Sequence, residues 1–181
     1  MPQIWTYVWP KIGHIYLAQN WTYMPKNWTN GMSLGTLVHL VCVYLHKWKP
    51  RPGLYALEVS TGEIAWVFKP DPICEIEDRK PLFGEGYCSN GFSAPPTIAN
   101  DVVFVGSLNG VFYAVNSETG TRLWEFDTFK RYPDTVNKKP AVGGSIEAQG
   151  PVVSDSWVYT SSGYSVNGHM TGNIFLAFSI E

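Results

Sequence analysis

A chain of 181 residues with 45% hydrophobic and 15% charged residues has the length of one ordinary domain and is too apolar to be a disordered segment. Its formal net charge of −2 gives no electrostatic basis for binding nucleic acid or an anionic membrane. The run Leu34–Leu45 is interrupted only by Thr36 and His39, but it falls short of the ~20 apolar residues that span a bilayer, so no membrane span is expected. The opening MPQIWTYVWPK lacks the basic-then-apolar order of a secretory signal.

Taken in order, residues 1–52 read as a divergent or non-propeller N-terminal segment that holds most of the eight tryptophans and shows little strand alternation. Asn20-Trp-Thr22 and Asn27-Trp-Thr29 have the glycosylation acceptor pattern, which matters only in a secreted chain. The stretch SLGTLVHLVCVYLHKWK reads as a buried strand or a short helix, and periodicity does not choose between them. Residues 53–181 read as strands. GLYALEV, and VFYAVNS further on, alternate as half-buried strands, and EIAWVF returns as a second strand after a Ser-Thr-Gly turn. A long loop, residues 69–93, carries Pro70, Pro72, Pro81, Cys74 and Cys88. The two cysteines close that loop as a disulfide or stand as two free thiols; the disulfide is the expectation and would imply an oxidising compartment, with Cys42 left over.

A complete four-strand unit follows: PPTIA, a turn at Asn100-Asp101, VVFVGS, a turn at Leu108-Asn109-Gly110, VFYAVNS, a turn at Glu118-Thr119-Gly120, and TRLWEF. A second long loop runs over residues 127–149. GPVVS, WVYTSSG and NIFLAFSI then supply three strands of a further unit. The elements repeat: Ala56, Thr61, Gly62 and Trp66 recur with the same spacing as Ala114, Thr119, Gly120 and Trp124. In each copy a small residue on one strand and a large ring on the next suit packing between neighbouring units.

This spacing resembles the tryptophan-docking motif of the quinoprotein (pyrroloquinoline quinone-type) β-propeller repeat family, Ala-x-Asp-x-x-Thr-Gly-x-x-x-Trp, with Glu58 and Asn116 at the Asp position. The segment GGSIEAQGPVVSDSWVYTSSGYSVNGHMTGNIFLAFSIE is similar to the C-terminal blades of polyvinyl-alcohol-dehydrogenase-like members, so the resemblance covers about residues 53–181. It implies an all-β fold, a partial β-propeller of about two to two and a half four-stranded antiparallel blades, set against about four to eight in closed propellers. The chain is accordingly expected to be a fragment of a seven- or eight-bladed propeller, partnered by the remaining blades or by self-association.

By the same resemblance, Ala56, Gly62, Trp66, Ala114, Gly120 and Trp124 are docking residues. The whole protein would oxidise an alcohol substrate with pyrroloquinoline quinone, with Ca²⁺ as an oxygen-ligated Lewis acid, outside the cell or in the periplasm. Two other readings stand beside it: a non-catalytic propeller that serves as a binding scaffold, and a non-functional gene fragment.

Alternating connections in a four-strand blade place the tight turns on one face and the long loops, residues 69–93, 127–149 and 163–172, on the other, where binding residues collect. Two segments lead into innermost strands, Cys88–Ser93 and Gly143–Gln149. Gly143 and Gly144 permit close approach of a flat ring, and Ser145 and Gln149 offer hydrogen bonds, so these four with Asn90 and Ser93 are the candidate cofactor-binding residues. Asn90 and Ser93 serve equally well as turn caps. Glu147 is the candidate catalytic base or cation ligand, against the alternative of a structural or solvated carboxylate. His169 reads as an exposed loop histidine, against the alternative of a ligand contact, and Tyr164 as a rim aromatic or a packing residue. Met170 beside His169 does not signal haem, because no Cys-x-x-Cys-His motif is present.

Overall fold

The computed structural model describes residues 36–40, 52–76, 79–82, 84–147, 149–165 and 167–179. The two glycosylation-type triplets, Cys42 and the rest of the run Leu34–Leu45 outside 36–40 lie outside the described residues. The protein is nearly all β, with strands in antiparallel sheets. The first sheet, blade 1, holds β1 (Thr36–Leu40), β2 (Leu54–Glu58) and β3 (Ile64–Phe68). Thus residues 36–40 are strand, and blade 1 takes an edge strand from the segment before residue 53.

A single turn of helix, α1 (Ile73–Ile76), sits in the loop that follows blade 1. Blade 2 is the complete four-strand sheet of β4 (Thr97–Ala99), β5 (Val102–Gly106), β6 (Val111–Asn116) and β7 (Arg122–Asp127), in sequence order. A two-residue-per-strand hairpin of β8 (Arg131–Tyr132) and β9 (Ala141–Val142) interrupts the second long loop. Blade 3 holds β10 (Val152–Ser154), β11 (Trp157–Ser162) and β12 (Ile174–Ser179). The up-and-down strand order of each sheet and the stacking of one sheet on the next make this a partial β-propeller.

The turns form where the sequence places left-handed residues. Gly62 and Gly120 have φ of 74° and 70° in the two Thr-Gly turns, and Asn100 and Asp155 both have φ of 50° in the two tight first turns of blades 2 and 3. Asn116 caps its own turn: its Oδ1 accepts from the amides of Glu118 and Thr119 and from the Thr119 hydroxyl. The Asn at the Asp position of the motif therefore keeps the acceptor that the turn needs.

The core consists of two layers, one on each side of blade 2. Leu54, Ala56, Trp66 and Phe92 meet Val103, Val105, Tyr113 and Val115 between blades 1 and 2. Phe104, Phe112, Ala114 and Ile146 meet Val153, Val158 and Phe178 between blades 2 and 3. Because blade 2 is covered on both faces, β5 is buried at every position and β6 at all but its last. VFYAVNS was expected to be half-buried from its alternation; the second blade covers the face that alternation alone assigns to solvent. β2 keeps a buried–intermediate alternation through its first four residues.

Large rings and missing side chains interlock across these layers. The Trp66 indole donates from Nε1 to the Ser117 carbonyl (3.0 Å), and its ring occupies the space that a Cβ at Gly120 would need, 2.7 Å away. Trp124 takes the corresponding place one blade on, edge-to-face with Phe112 and with Phe178 of blade 3. At Gly106 a Cβ would stand 2.1 Å from Ile146 Cγ2, so Ile146 seats on bare backbone. Gly106→Ala should therefore destabilise the fold by about 1–3 kcal/mol by overpacking. In a double-mutant cycle read by urea unfolding, Gly106→Ala combined with Ile146→Ala should cost less than the two changes summed.

Tyr113 is fully buried, its hydroxyl accepting from the Asp71 amide (3.4 Å), and burial pushes its phenol from 10.0 up to about 12. The unfolded chain ionises this group first, so its contribution to stability is complete below about pH 10 and is lost as pH rises towards about 12. Tyr113→Phe should flatten that alkaline loss in denaturation curves taken across the window.

Candidate functional site

The long loops converge, as their common face requires. Tyr87 in the first loop forms a parallel bridge with His169, its amide donating to the Gly168 carbonyl (3.1 Å). The Ser145 amide donates to the Met170 carbonyl (2.8 Å), tying the second loop to the third. The first loop is closed by a disulfide between Cys74 and Cys88, as expected. Arg79 pins it to blade 2: its guanidinium makes a two-pronged pair with Asp127 (3.1 and 2.8 Å), donates to the Asn109 carbonyl (2.9 Å) and lies 5.2 Å from the centre of the Phe129 ring. The sequence reading did not single out Arg79, because nothing local links it to Asp127.

Glu147 sits at the meeting point of these loops, its side chain only 1% exposed. Oε1 accepts from Asn167 Nδ2 (2.5 Å) and bonds His169 Nδ1 (3.1 Å). Oε2 accepts from Ser165 Oγ (2.8 Å) and the Asn167 amide (3.4 Å). A carboxylate has about four acceptor sites, and here two bonds reach each oxygen. Toward an ionised carboxylate, which only accepts, the His169 ring nitrogen is the donor of this bond. The expectation of an exposed loop histidine is corrected: His169 is 8% exposed, with the Tyr87 ring 4.5 Å away and the Glu147 carboxylate behind it. Burial of a charge demands a partner, and the histidine is part of that compensation. Residues 167 and 168 bend and Gly168 is left-handed (φ 79°), so no simple periodicity in the sequence marks this group.

The other named residues are not gathered around Glu147. At Gly143 a Cβ would lie 1.7 Å from the Thr128 carbonyl oxygen, and at Gly144 it would lie 2.3 Å from that of Met170, so both glycines admit neighbouring backbone. Ser145 is fully buried, donating to the Leu108 carbonyl and accepting from the Met170 amide (3.1 Å). Asn90 Oδ1 accepts from the Cys74 amide (3.2 Å) beside the disulfide. Ser93 is half-buried, and Gln149 is exposed on the open face of blade 3. Tyr164 is half exposed, its hydroxyl donating to the Asn173 carbonyl (3.3 Å). Among the described residues no group of three or more His, Cys, Asp or Glu is placed to hold a metal ion, and no helix is long and apolar enough to cross a membrane.

Chemically, the Glu147 group is a buried carboxyl whose two oxygens are engaged by Ser165, Asn167 and His169. Glu147→Gln would point an amide NH₂ at donors and should lower stability by on the order of 3 kcal/mol. Ser93→Ala, at a half-buried position, should stay within about 0.5 kcal/mol of the parent in the same urea titration.

A family model for pyrroloquinoline-quinone-type repeats, described as outer membrane protein assembly factor BamB, matches residues 21–145, more than half the chain. A polyvinylalcohol dehydrogenase of Sphingopyxis sp. (strain 113P3) is 32% identical over 140 residues, covering 72% of this chain and 21% of that protein. One from Pseudomonas sp. is 34% identical over 140 residues, with the same coverage of 72% and 21%. The chain thus spans about a fifth of the length of these relatives. A crystal structure of quinohemoprotein alcohol dehydrogenase from Comamonas testosteroni overlays with a TM-score of 0.42 at 18% identity, covering 60% of this chain and 14% of that one, too partial a match to add weight. Three stacked antiparallel blades, the repeated Ala, Thr-Gly and Trp positions and the matched repeat model together place this chain in the quinoprotein-type β-propeller repeat family.

Proposed function

We propose that this chain supplies blades to a quinoprotein-type alcohol oxidoreductase of the polyvinyl-alcohol dehydrogenase kind. The observation that carries this reading is identity of 32% and 34% to two such dehydrogenases over 140 residues. On this reading residues 53–181 are propeller blades of a larger propeller, and the preceding segment is a divergent lead-in that contributes one strand. Trp66 over Gly120 and Ser117 supports the assignment of the repeated residues as docking positions. The Cys74–Cys88 disulfide supports an oxidising, extracellular or periplasmic site of action.

Pyrroloquinoline quinone, when bound, would accept hydride from the alcohol. The residues named for it do not form a cradle in this chain. The glycine faces are filled by backbone, the Ser145 hydroxyl is committed at both ends, and Asn90 is turned to Cys74. Glu147 has a positioning role: it holds Ser165, Asn167 and His169 beside the loop of Tyr87. The saturation of Glu147 also favours the second reading, a non-catalytic scaffold whose loop face binds a partner, and it is equally compatible with a non-functional gene fragment.

The test is alcohol-dependent dye reduction with added pyrroloquinoline quinone and Ca²⁺. Protein isolated from its natural source should reduce dye with polyvinyl alcohol or a simple secondary alcohol, and the 181-residue chain alone should not. No reduction by the folded natural protein with either alcohol would overturn the enzyme reading and leave the scaffold. In an active natural protein, Glu147→Gln should lower the melting temperature while kcat per folded molecule falls less than about tenfold. A larger loss at unchanged stability would make Glu147 a base after all.

A further inference from the structure

Asn167 reaches both oxygens of Glu147, from Nδ2 to Oε1 (2.5 Å) and from its backbone amide to Oε2 (3.4 Å). It is also followed by Gly168. Asparagine is thermally labile, and most so before glycine, where no Cβ keeps the next backbone nitrogen away from the side-chain carbonyl carbon.

Among the described residues Asn precedes Gly at three places: Asn90-Gly91, Asn109-Gly110 and Asn167-Gly168. The fold treats them differently. Asn109 is 0% exposed; its Nδ2 donates to the Asp71 carbonyl and its Oδ1 accepts from the Val111 amide. The Gly110 amide, which would have to attack, donates to the Ser107 carbonyl (3.1 Å). Asn90 is half-buried, its Oδ1 accepts from the Cys74 amide, and Gly91 is buried. Asn167 and Gly168 are both exposed, and among the described residues the Gly168 amide has no acceptor. Of the three pairs, this one lies open to the water that completes the reaction.

We propose that Asn167-Gly168 is a site of spontaneous deamidation, and that the conversion unfastens residues 165–169 from Glu147. The Gly168 nitrogen gives its proton to water and bonds to Asn167 Cγ. The Cγ–Nδ2 bond breaks, and Nδ2 takes a proton and leaves as ammonia. Water then opens the five-membered imide at one carbonyl or the other, giving aspartate or isoaspartate at position 167. One water is consumed and one ammonia released, with nothing oxidised or reduced.

The consequence follows from the position of Nδ2. A donor beside Glu147 Oε1 becomes an acceptor-only carboxylate oxygen. Two carboxylates in contact repel, so the ionised pair is disfavoured. Isoaspartate also lengthens the main chain just before His169. The same segment holds the other long loops, through the Tyr87 amide on the Gly168 carbonyl and the Ser145 amide on the Met170 carbonyl, so its release reaches both. This proposal is independent of the oxidoreductase reading, since it is read by mass and amide exchange and not by turnover.

The natural protein, held in mildly alkaline buffer for days, is digested in acid and read by tandem mass spectrometry. Asn167 should convert severalfold faster than Asn90 and Asn109. In the converted protein the Tyr87 and Ser145 amides should exchange hydrogen severalfold faster, and freshly made Asn167→Asp should show the same increase. The aged parent protein carries both readings, so they do not depend on the variant folding. Conversion at position 167 no faster than at 90 and 109 would overturn the site. Unchanged exchange at Tyr87 and Ser145 in the converted protein, or in folded Asn167→Asp, would overturn the unfastening.

Discussion

A blade of this fold is a thin sheet with apolar residues on both faces, and those residues leave water where another blade covers them. Every other feature of the molecule follows from that constraint. Between blades 1 and 2 the cover is made by Trp66, Leu54 and Phe92 against Val103, Val105 and Tyr113. Between blades 2 and 3 it is made by Ile146, Val158 and Phe178 against Phe104 and Phe112. At about 25 cal/mol per Å² of apolar surface removed from water, such layers are the main favourable contribution to folding. The hydrogen bonds of each sheet are a condition of burial more than a source of net stability. Small residues set how closely the layers approach: Gly120 under the Trp66 ring and Gly106 under Ile146 leave the space that the larger partners fill.

The loop face depends on the same stacking. Once the blades are fixed side by side, the three long loops emerge together, and their polar groups must satisfy one another away from water. Arg79 with Asp127 and the Asn109 carbonyl, and Glu147 with Ser165, Asn167 and His169, are the two principal solutions. In each case a charged group that would be costly to bury alone is matched by several donors or acceptors at short range. The Cys74–Cys88 disulfide adds a covalent limit on the first loop. Together these groups tie the three loops to one another and to blade 2.

The chain spans about a fifth of the dehydrogenases it resembles, and its blade 3 ends in an aromatic face without a covering blade among the described residues. The proposed reading as part of an alcohol oxidoreductase concerns the chemistry that a complete set of blades would surround.

The sequence by itself determined the strands and turns, because their signals are local. Alternating apolar residues, Thr-Gly at the left-handed positions of Gly62 and Gly120, and Asn100 and Asp155 at the tight turns each act within a few residues. It also determined the repeat, since Ala56, Gly62 and Trp66 return as Ala114, Gly120 and Trp124, and it made a disulfide between Cys74 and Cys88 the expected pairing. The tertiary structure alone decided which strands are buried on both faces, where the glycines of the Gly143–Gly144 pair point, and how Glu147 and His169 combine. Burial of β6 depends on two other blades, and the bonds between Glu147 and His169 depend on loops brought together by that stacking. Contacts of this kind join residues far apart in the chain, so no local pattern of residue types carries them.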